Sequence, residues 1–254
     1  MKITEIWRYP VKTMAGEKLQ QASLGPLGIE ADRVVHVADA TGHVLTSRSY
    51  PRFLAHAGSL GKRGEVLVDG QPWDSAQTAA AVADIGGPGA RLVRFDGAER
   101  FDVLPLLVAT DGAIAAFGHD HRRLRPNIVI GGVDGLAETQ WPGACLRIGK
   151  VLIGVQDLRQ RCIMTSYDPD TQAQDKEITR RIFKRFDGKL ALNCFVIEGG
   201  EIAVGDAVTL VRGRACTDAA PSFDKANLLF LNIYPCSNFG AVPVRSMCKR
   251  CCGP

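Results

Sequence analysis

The chain has 254 residues, 46% of them hydrophobic and 23% charged, with a formal net charge of +4. This is ordinary globular composition, enough for one large domain or two small ones. The mild positive charge suits an anionic small ligand or an acidic partner protein and makes no case for nucleic acid. No apolar run approaches the ~20 residues of a membrane span, and Met1-Lys2-Ile3-Thr4-Glu5 resembles neither a signal nor a transit peptide. No membrane is therefore expected, and the cytoplasm is the expected compartment.

Short strands and turns fill the first half. Residues 3–9 half-alternate and stop at Pro10. Val34–Val37 and Val44–Thr46 flank a turn at Asp39–Gly42. Val66–Val68 and Gln71–Trp73 flank Asp69-Gly70, a strong hairpin signal. Ser75 is placed to cap a helix over Ala76–Asp84, which Gly86-Gly87-Pro88-Gly89 ends. Residues 91–95 return as a strand. Further on, the pattern predicts a helix over Ala109–Phe117, a strand over Asn127–Ile130, and two strands around Gly149-Lys150. A helix over Asp175–Phe186 carries Ile178, Ile182 and Phe186 on one stripe. Residues 194–197 and 207–211 close the body. Many strands and few helices argue for a barrel-like α+β fold that is predominantly β.

Two tempting motifs carry little. The glycine run at 86–89 follows a helix rather than a strand, and Pro88 breaks a dinucleotide fingerprint. His119 and His121 offer two imidazoles, but no nearby pair completes a closed metal site.

The segments that carry chemistry sit at strand ends. After Pro10, Lys12 and Thr13 offer an ammonium, a hydroxyl and backbone amides to a phosphate. Arg33, Arg48 and Arg125, the last just before Asn127, add cationic forks beside strands. In Arg159-Gln160-Arg161-Cys162, arginines accompany a cysteine, and positive neighbours favour its thiolate, the form that binds soft metals or attacks electrophiles. A buried inert thiol reads equally well at Cys162. Cys145 and Cys194 lie in or beside apolar strands and are expected to act as small core hydrophobes.

Taken in order, Tyr9-Pro10-Val11-Lys12-Thr13, Asp32-Arg33, Thr46-Ser47-Arg48, Arg125-Pro126-Asn127, Arg161-Cys162-Ile163-Met164-Thr165 and Asp168-Pro169-Asp170-Thr171 resemble the MOSC family with its N-terminal β-barrel extension. Gly200–Asp206 matches the family's closing turn. The nearest likeness is to amidoxime-reducing molybdenum proteins and their bacterial relatives. The resemblance implies an N-terminal β-barrel domain over residues 1–108 and a MOSC β-barrel with flanking helices over 109–213. An appended cysteine-rich tail of 214–254 follows, and it is expected to be dispensable. The implied cofactor is molybdenum–molybdopterin, with Cys162 as metal ligand and Lys12, Thr13, Arg33, Arg125 and Asn127 as cofactor contacts. The implied reaction is two-electron reduction of N-hydroxylated compounds such as hydroxylamines and amidoximes. Asp168 is the candidate for positioning water or giving a proton, beside a turn-capping role. No flavin, haem or iron–sulfur motif appears in the body, so a separate redox protein is expected to deliver electrons. The competing reading is a molybdenum-cofactor or sulfur carrier working through a Cys162 persulfide. Two departures stand out: Asp102 is followed by Val103-Leu104-Pro105 instead of small hydroxyl residues, and Gln172 replaces the usual glycine after Asp-Pro-Asp-Thr.

Overall fold

The computed structural model describes residues 1–213 and Cys216. Most of the 214–254 segment, with the expectation that it is dispensable, lies outside the described residues.

The largest sheet runs in the order Thr209–Val211, Cys145–Ile148, Val151–Gln160, Lys189–Glu198, Leu106–Thr110, Ile128–Gly131, Lys2–Arg8 and Glu17–Leu19. Its one parallel pair is Leu106–Thr110 with Ile128–Gly131, and the connection between them contains a helix, α2 (Asp111–Phe117). The outer edge of Lys2–Arg8 is shared. Ile6–Arg8 pair with Glu17–Leu19, while Lys2 bridges to Ala207 and the Ile3 amide donates to Asp206 at 2.9 Å. Residues 205–208 lead straight into the strand at the far end of the sheet, so the sheet closes on itself as a barrel, which removes its exposed edges. Ile3, Ile6, Val108, Ile130, Ile153 and Leu192 fill it.

A second core forms among smaller sheets in the first half. One joins Arg91–Arg94, Val35–Ala38 and Val44–Leu45; another joins Gly58–Leu60, Val66–Val68 and Gln71–Pro72. Val11, Met14, Val35, Phe53 and Val82 pack between them. Asp69 and Gly70 both take positive φ, as the tight hairpin requires. Helix α1 (Ala76–Gly86) starts where the Ser75 hydroxyl accepts the Thr78 amide at 3.2 Å. The first strand belongs to the barrel core, and the chain crosses to the second core at Tyr9–Val11.

Two expectations are corrected. Ala109 lies in a strand, because Leu106–Thr110 pairs on both edges; the helix starts only after Thr110, whose hydroxyl caps it. Cys145 is not a free core thiol: it is disulfide-bonded to Cys216, which lies 71 residues on. Its surroundings are apolar, with Leu152 and Ile197 alongside. Cys194 is free and fully buried, and burial pushes its thiol pKa up. No helix among the described residues is long and apolar enough to cross a membrane.

Candidate functional site

The crossing between the two cores collects the charges. Beyond Pro10 the chain runs beside residues 33–35: the Arg33 amide donates to Tyr9 O at 2.8 Å and the Lys12 amide to Val35 O at 2.7 Å. The Tyr9 amide donates to Asp32 at 2.7 Å, and Asp32, wholly buried, also accepts from Arg33. A buried carboxylate survives only when paired in this way. Both Arg33 and Arg125 lie against the Tyr9 ring, at 5.3 and 4.2 Å from its centroid. The Tyr9 hydroxyl donates to Pro126 O at 3.1 Å, and burial pushes the phenol up to about 12. It is a neutral spacer for two cations.

Lys12 extends to Asp102 at 2.8 Å and donates to Arg100 O at 3.0 Å. Asp102 also takes Arg48 at 3.0 Å and lies 3.9 Å from Arg159. Desolvation alone would raise this carboxyl. Lys12 and Arg48 overcome that and hold it far below the usual carboxylate range. The Thr13 and Ser47 hydroxyls meet at 2.5 Å, and Ser47 Oγ donates to Thr13 O at 2.8 Å, which locks the Lys12 turn onto the Arg48 turn.

Cys162 follows the long strand Val151–Gln160. Its carbonyl accepts the Thr165 amide at 3.1 Å and the Thr165 hydroxyl at 2.9 Å, so its backbone is fixed while its free thiol is exposed. Arg159, near the end of that strand, and Arg161, just past it, precede the cysteine. Each feels the Cys162 charge. Arg161 donates to Leu124 O at 2.8 Å, tying the cysteine's approach to the turn that presents Arg125.

The cluster has more cation than it can pair. Among the described residues, Lys12, Arg33, Arg125 and Arg159 gather around two carboxylates, Asp32 and Asp102, with Arg161 beside Arg159. Burial brings Arg125 and Arg161 down to about 10. Arg125 Nη2, Arg161 Nε and Arg100 Nε are sealed from solvent with no hydrogen-bond partner among the described residues. Such orphaned charge-bearing groups are costly unless something else satisfies them. Thr13, Arg33 and Arg125 also hold left-handed φ of 81°, 56° and 56°. That conformation costs a side-chain-bearing residue about 1–2 kcal/mol, and such costs concentrate at functional sites.

Lys12, Arg33, Arg125 and Cys162 therefore fall in one connected network. Asn127 faces inward: its side chain accepts the Leu107 amide at 3.1 Å and donates to Trp7 O at 3.3 Å, bridging barrel strands. Asp168 is engaged by its own turn. It accepts the Thr171 and Asp170 amides, at 2.9 and 3.1 Å, and the Arg123 guanidinium at 2.7 Å. The Thr171 amide leads these contacts in holding the carboxyl below its usual range. An ionised carboxylate is a poor proton donor, and the turn role fits this geometry better. Gln172 sits at φ 58°, where a glycine is easier. Among the described residues, no three His, Cys, Asp or Glu side chains gather as a metal site, and Cys162 is an exposed free thiol. His121 bonds to Glu5 at 2.9 Å and His119 packs on Phe117.

Sequence reasoning missed Arg100 and read Arg159 and Arg161 only as positive neighbours of Cys162. The alternation of arginines before Cys162 was a usable signal for the latter two; Arg100, in an irregular stretch, offered none. A concavity of about 550 Å³ is lined by Ile148–Val151, Gly199–Glu201, Asp206 and Ala207, and shares no residue with the cluster. Its lining has no thiol and no arginine, so the chemistry lies with the cluster.

Comparison with known proteins follows the same division. A family described as the MOSC domain matches residues 111–209, and the MOSC N-terminal beta barrel domain matches residues 1–99. The human mitochondrial amidoxime-reducing component 1 is 24% identical over 287 aligned positions, covering 82% of each chain. The human mitochondrial amidoxime reducing component 2 is 25% identical over 235 positions, covering 69% of each. Among solved structures, the YUAD protein of Bacillus subtilis aligns over 84% of this chain and 96% of its own, at 11% identity and a TM-score of 0.47.

Proposed function

Because this chain belongs to the family of MOSC-domain proteins with the N-terminal MOSC β-barrel domain, we propose that it binds a molybdenum cofactor and reduces N-hydroxylated compounds, hydroxylamines or amidoximes. The observation that carries this reading is an exposed free thiol, Cys162, near guanidinium groups that each keep a buried nitrogen without a hydrogen-bond partner among the described residues. A phosphate-bearing cofactor with a thiolate-seeking metal needs that combination: fixed cationic donors for the anionic end and one soft ligand for the metal. The names of the amidoxime-reducing relatives support the choice of reaction class.

When bound, the cofactor supplies the two-electron chemistry; the chain supplies binding and orientation. Lys12, Arg33 and Arg125 would hold phosphate and pterin oxygens, the last with its orphaned Nη2. Thr13 holds the Lys12 turn in place through Ser47, and Asn127 holds the strand behind Arg125. Cys162 would ligate the metal as a thiolate, with Arg159 and Arg161 offsetting its charge. Reduction of a hydroxylamine consumes two electrons and two protons and yields an amine and water. With Asp168 ionised, the protons come from solvent, and the electrons from a separate redox protein.

The test is elemental and pterin analysis of the purified chain, with reduction of a model hydroxylamine, for wild type and Cys162→Ser. About one molybdenum per chain is expected in wild type. The variant should retain most of its pterin, because binding is spread over many contacts, and lose nearly all turnover. Full turnover in Cys162→Ser removes the reading. A persulfide on Cys162 without turnover would instead favour a sulfur carrier.

A further inference from the structure

Helix α3 (Lys176–Phe186) carries charge that the site does not use. Its sequence, KEITRRIFKRF, sets five cations against Glu177, with Asp175 and Asp187 at its caps. Ile178, Thr179 and Ile182 are buried, and all five cations are exposed. Arg180 pairs with Glu177; Arg181, Lys184 and Arg185 form no salt bridge with a described residue. The like charges at Arg180/Lys184 and Arg181/Arg185 stand four apart, a spacing that costs a helix a few tenths of a kcal/mol per pair. Lys184 and Arg185, in the last turn, suit the helix dipole; Arg181 lies outside that turn and meets like charge at Arg185. Phe183 is 49% exposed and, two positions from both Arg181 and Arg185, lies on another side of the helix. Beside the cations lies a groove of about 130 Å³, whose lining includes His119, Arg181 and Arg185 over Phe117 and Phe186.

The buried side of the same helix backs the cysteine turn. The Asp175 amide donates to Ser166 O at 2.8 Å, and the Thr179 and Thr165 hydroxyls meet at 3.3 Å. Thr165 in turn holds the Cys162 carbonyl. One helix thus presents a cationic, partly aromatic face outward and supports the candidate redox ligand inward.

We propose that the exposed face of α3 docks an acidic electron-donor protein, with Arg181, Lys184 and Arg185 receiving its carboxylates and the groove over Phe117 and Phe186 as the apolar seat. This rests on the reading that a separate redox protein is oxidised to supply the two electrons of each N–O cleavage. Charge complementarity selects the partner's sign, and a partner seated there lies one helix away from the Cys162 turn. Cations without salt bridges beside an aromatic-lined groove are what an interface with an acidic protein uses for steering and anchoring.

The experiment titrates the full chain, with its cofactor as purified, against two acidic probes, a plant-type [2Fe–2S] ferredoxin and a flavodoxin, at low and high salt. The variant is R181E/K184E/R185E; R181Q/R185Q, which keeps side-chain bulk, serves if the first melts early by circular dichroism. At least one probe should bind wild type, with a Kd that rises about tenfold or more on charge reversal and also with added salt. Hydroxylamine reduction driven by reduced methyl viologen should be unchanged in the variants, and turnover driven by the probe should fall with the affinity. Failure of both probes to bind wild type, an unchanged Kd on reversal, or preferential binding of a duplex oligonucleotide overturns the proposal. An absence of viologen-driven turnover in wild type strikes the proposed reaction instead, and leaves the Kd comparison to decide the docking surface.

Discussion

Arg125 is where ligand binding and stability should trade against each other. Its pKa falls from 12.5 to about 10 because burial disfavours the charged form. Each pKa unit is worth 1.36 kcal/mol, so full burial would cost the folded chain about 3 kcal/mol. Part of the residue remains open to solvent, which reduces the cost to about 2 kcal/mol. Its stack on Tyr9 at 4.2 Å returns about 1 kcal/mol. Arg125→Met keeps an unbranched stem against the ring and removes the charge and the orphaned Nη2. The ligand-free variant should therefore be as stable as wild type or more stable by about 1 kcal/mol. Anion binding should weaken, because a charge-assisted hydrogen bond contributes about 1.5–3 kcal/mol, or about ten- to a hundredfold in affinity. The assay is thermal unfolding of both proteins across a series of inorganic phosphate and pyrophosphate concentrations, since a ligand stabilises the state that binds it. Wild type should gain melting temperature with pyrophosphate and the variant should not. A variant destabilised by about 3 kcal/mol without ligand, yet keeping the full pyrophosphate response, would refute the reasoning.

Two other perturbations follow from buried groups. Glu138 is 1% exposed, its Oε1 lacks a partner, and its Oε2 accepts the Thr110 hydroxyl that also caps α2. Burial raises its pKa, so the folded state binds the proton more tightly than the unfolded one; stability should fall as pH rises from 4.5 through the raised value. Glu138→Gln should abolish that dependence and add on the order of 1 kcal/mol near neutral pH, measured by denaturant titration at several pH values. Cys145→Ser opens a loop of 71 residues, and by chain entropy costs up to about 4 kcal/mol under oxidising conditions. Wild type in reductant should match the variant, and identical midpoints for oxidised wild type and variant would show that the bond contributes nothing.

Where local chemistry decided the structure, the sequence was readable. Asp69-Gly70 made its hairpin, Ser75 capped α1, and the Ile178/Ile182 stripe became the buried side of α3. Ala109 was misread because its apolar neighbourhood suits a buried strand and a buried helix equally, and the pairing of Leu106–Thr110 on both edges decided it. Barrel closure was invisible, since Lys2 and Ala207 share no local pattern. Nor could the sequence show that an orderly run like Tyr9–Thr13 departs from one core and enters another.

The site divides along the same line. Lys12 and Arg33 stand beside strand ends, and Cys162 follows one, so punctuation by Pro10 and the alternation of Arg159 and Arg161 could find them. What makes them a site is non-local. Asp102, noted in the sequence only for the residues that follow it, brings Lys12 and Arg48 together; Tyr9 sets Arg33 and Arg125 at fixed distances. The left-handed turns at Thr13, Arg33 and Arg125 were hidden because none is a glycine, the residue by which such turns announce themselves. Buried cations without enough carboxylates and strained turns without glycine are both unfavourable for folding alone. Their coincidence on the elements that lead to one exposed thiol is most simply explained if an anionic ligand supplies the missing partners. On that account the cost in the free chain is recovered on binding, which is why Arg125→Met should separate stability from affinity.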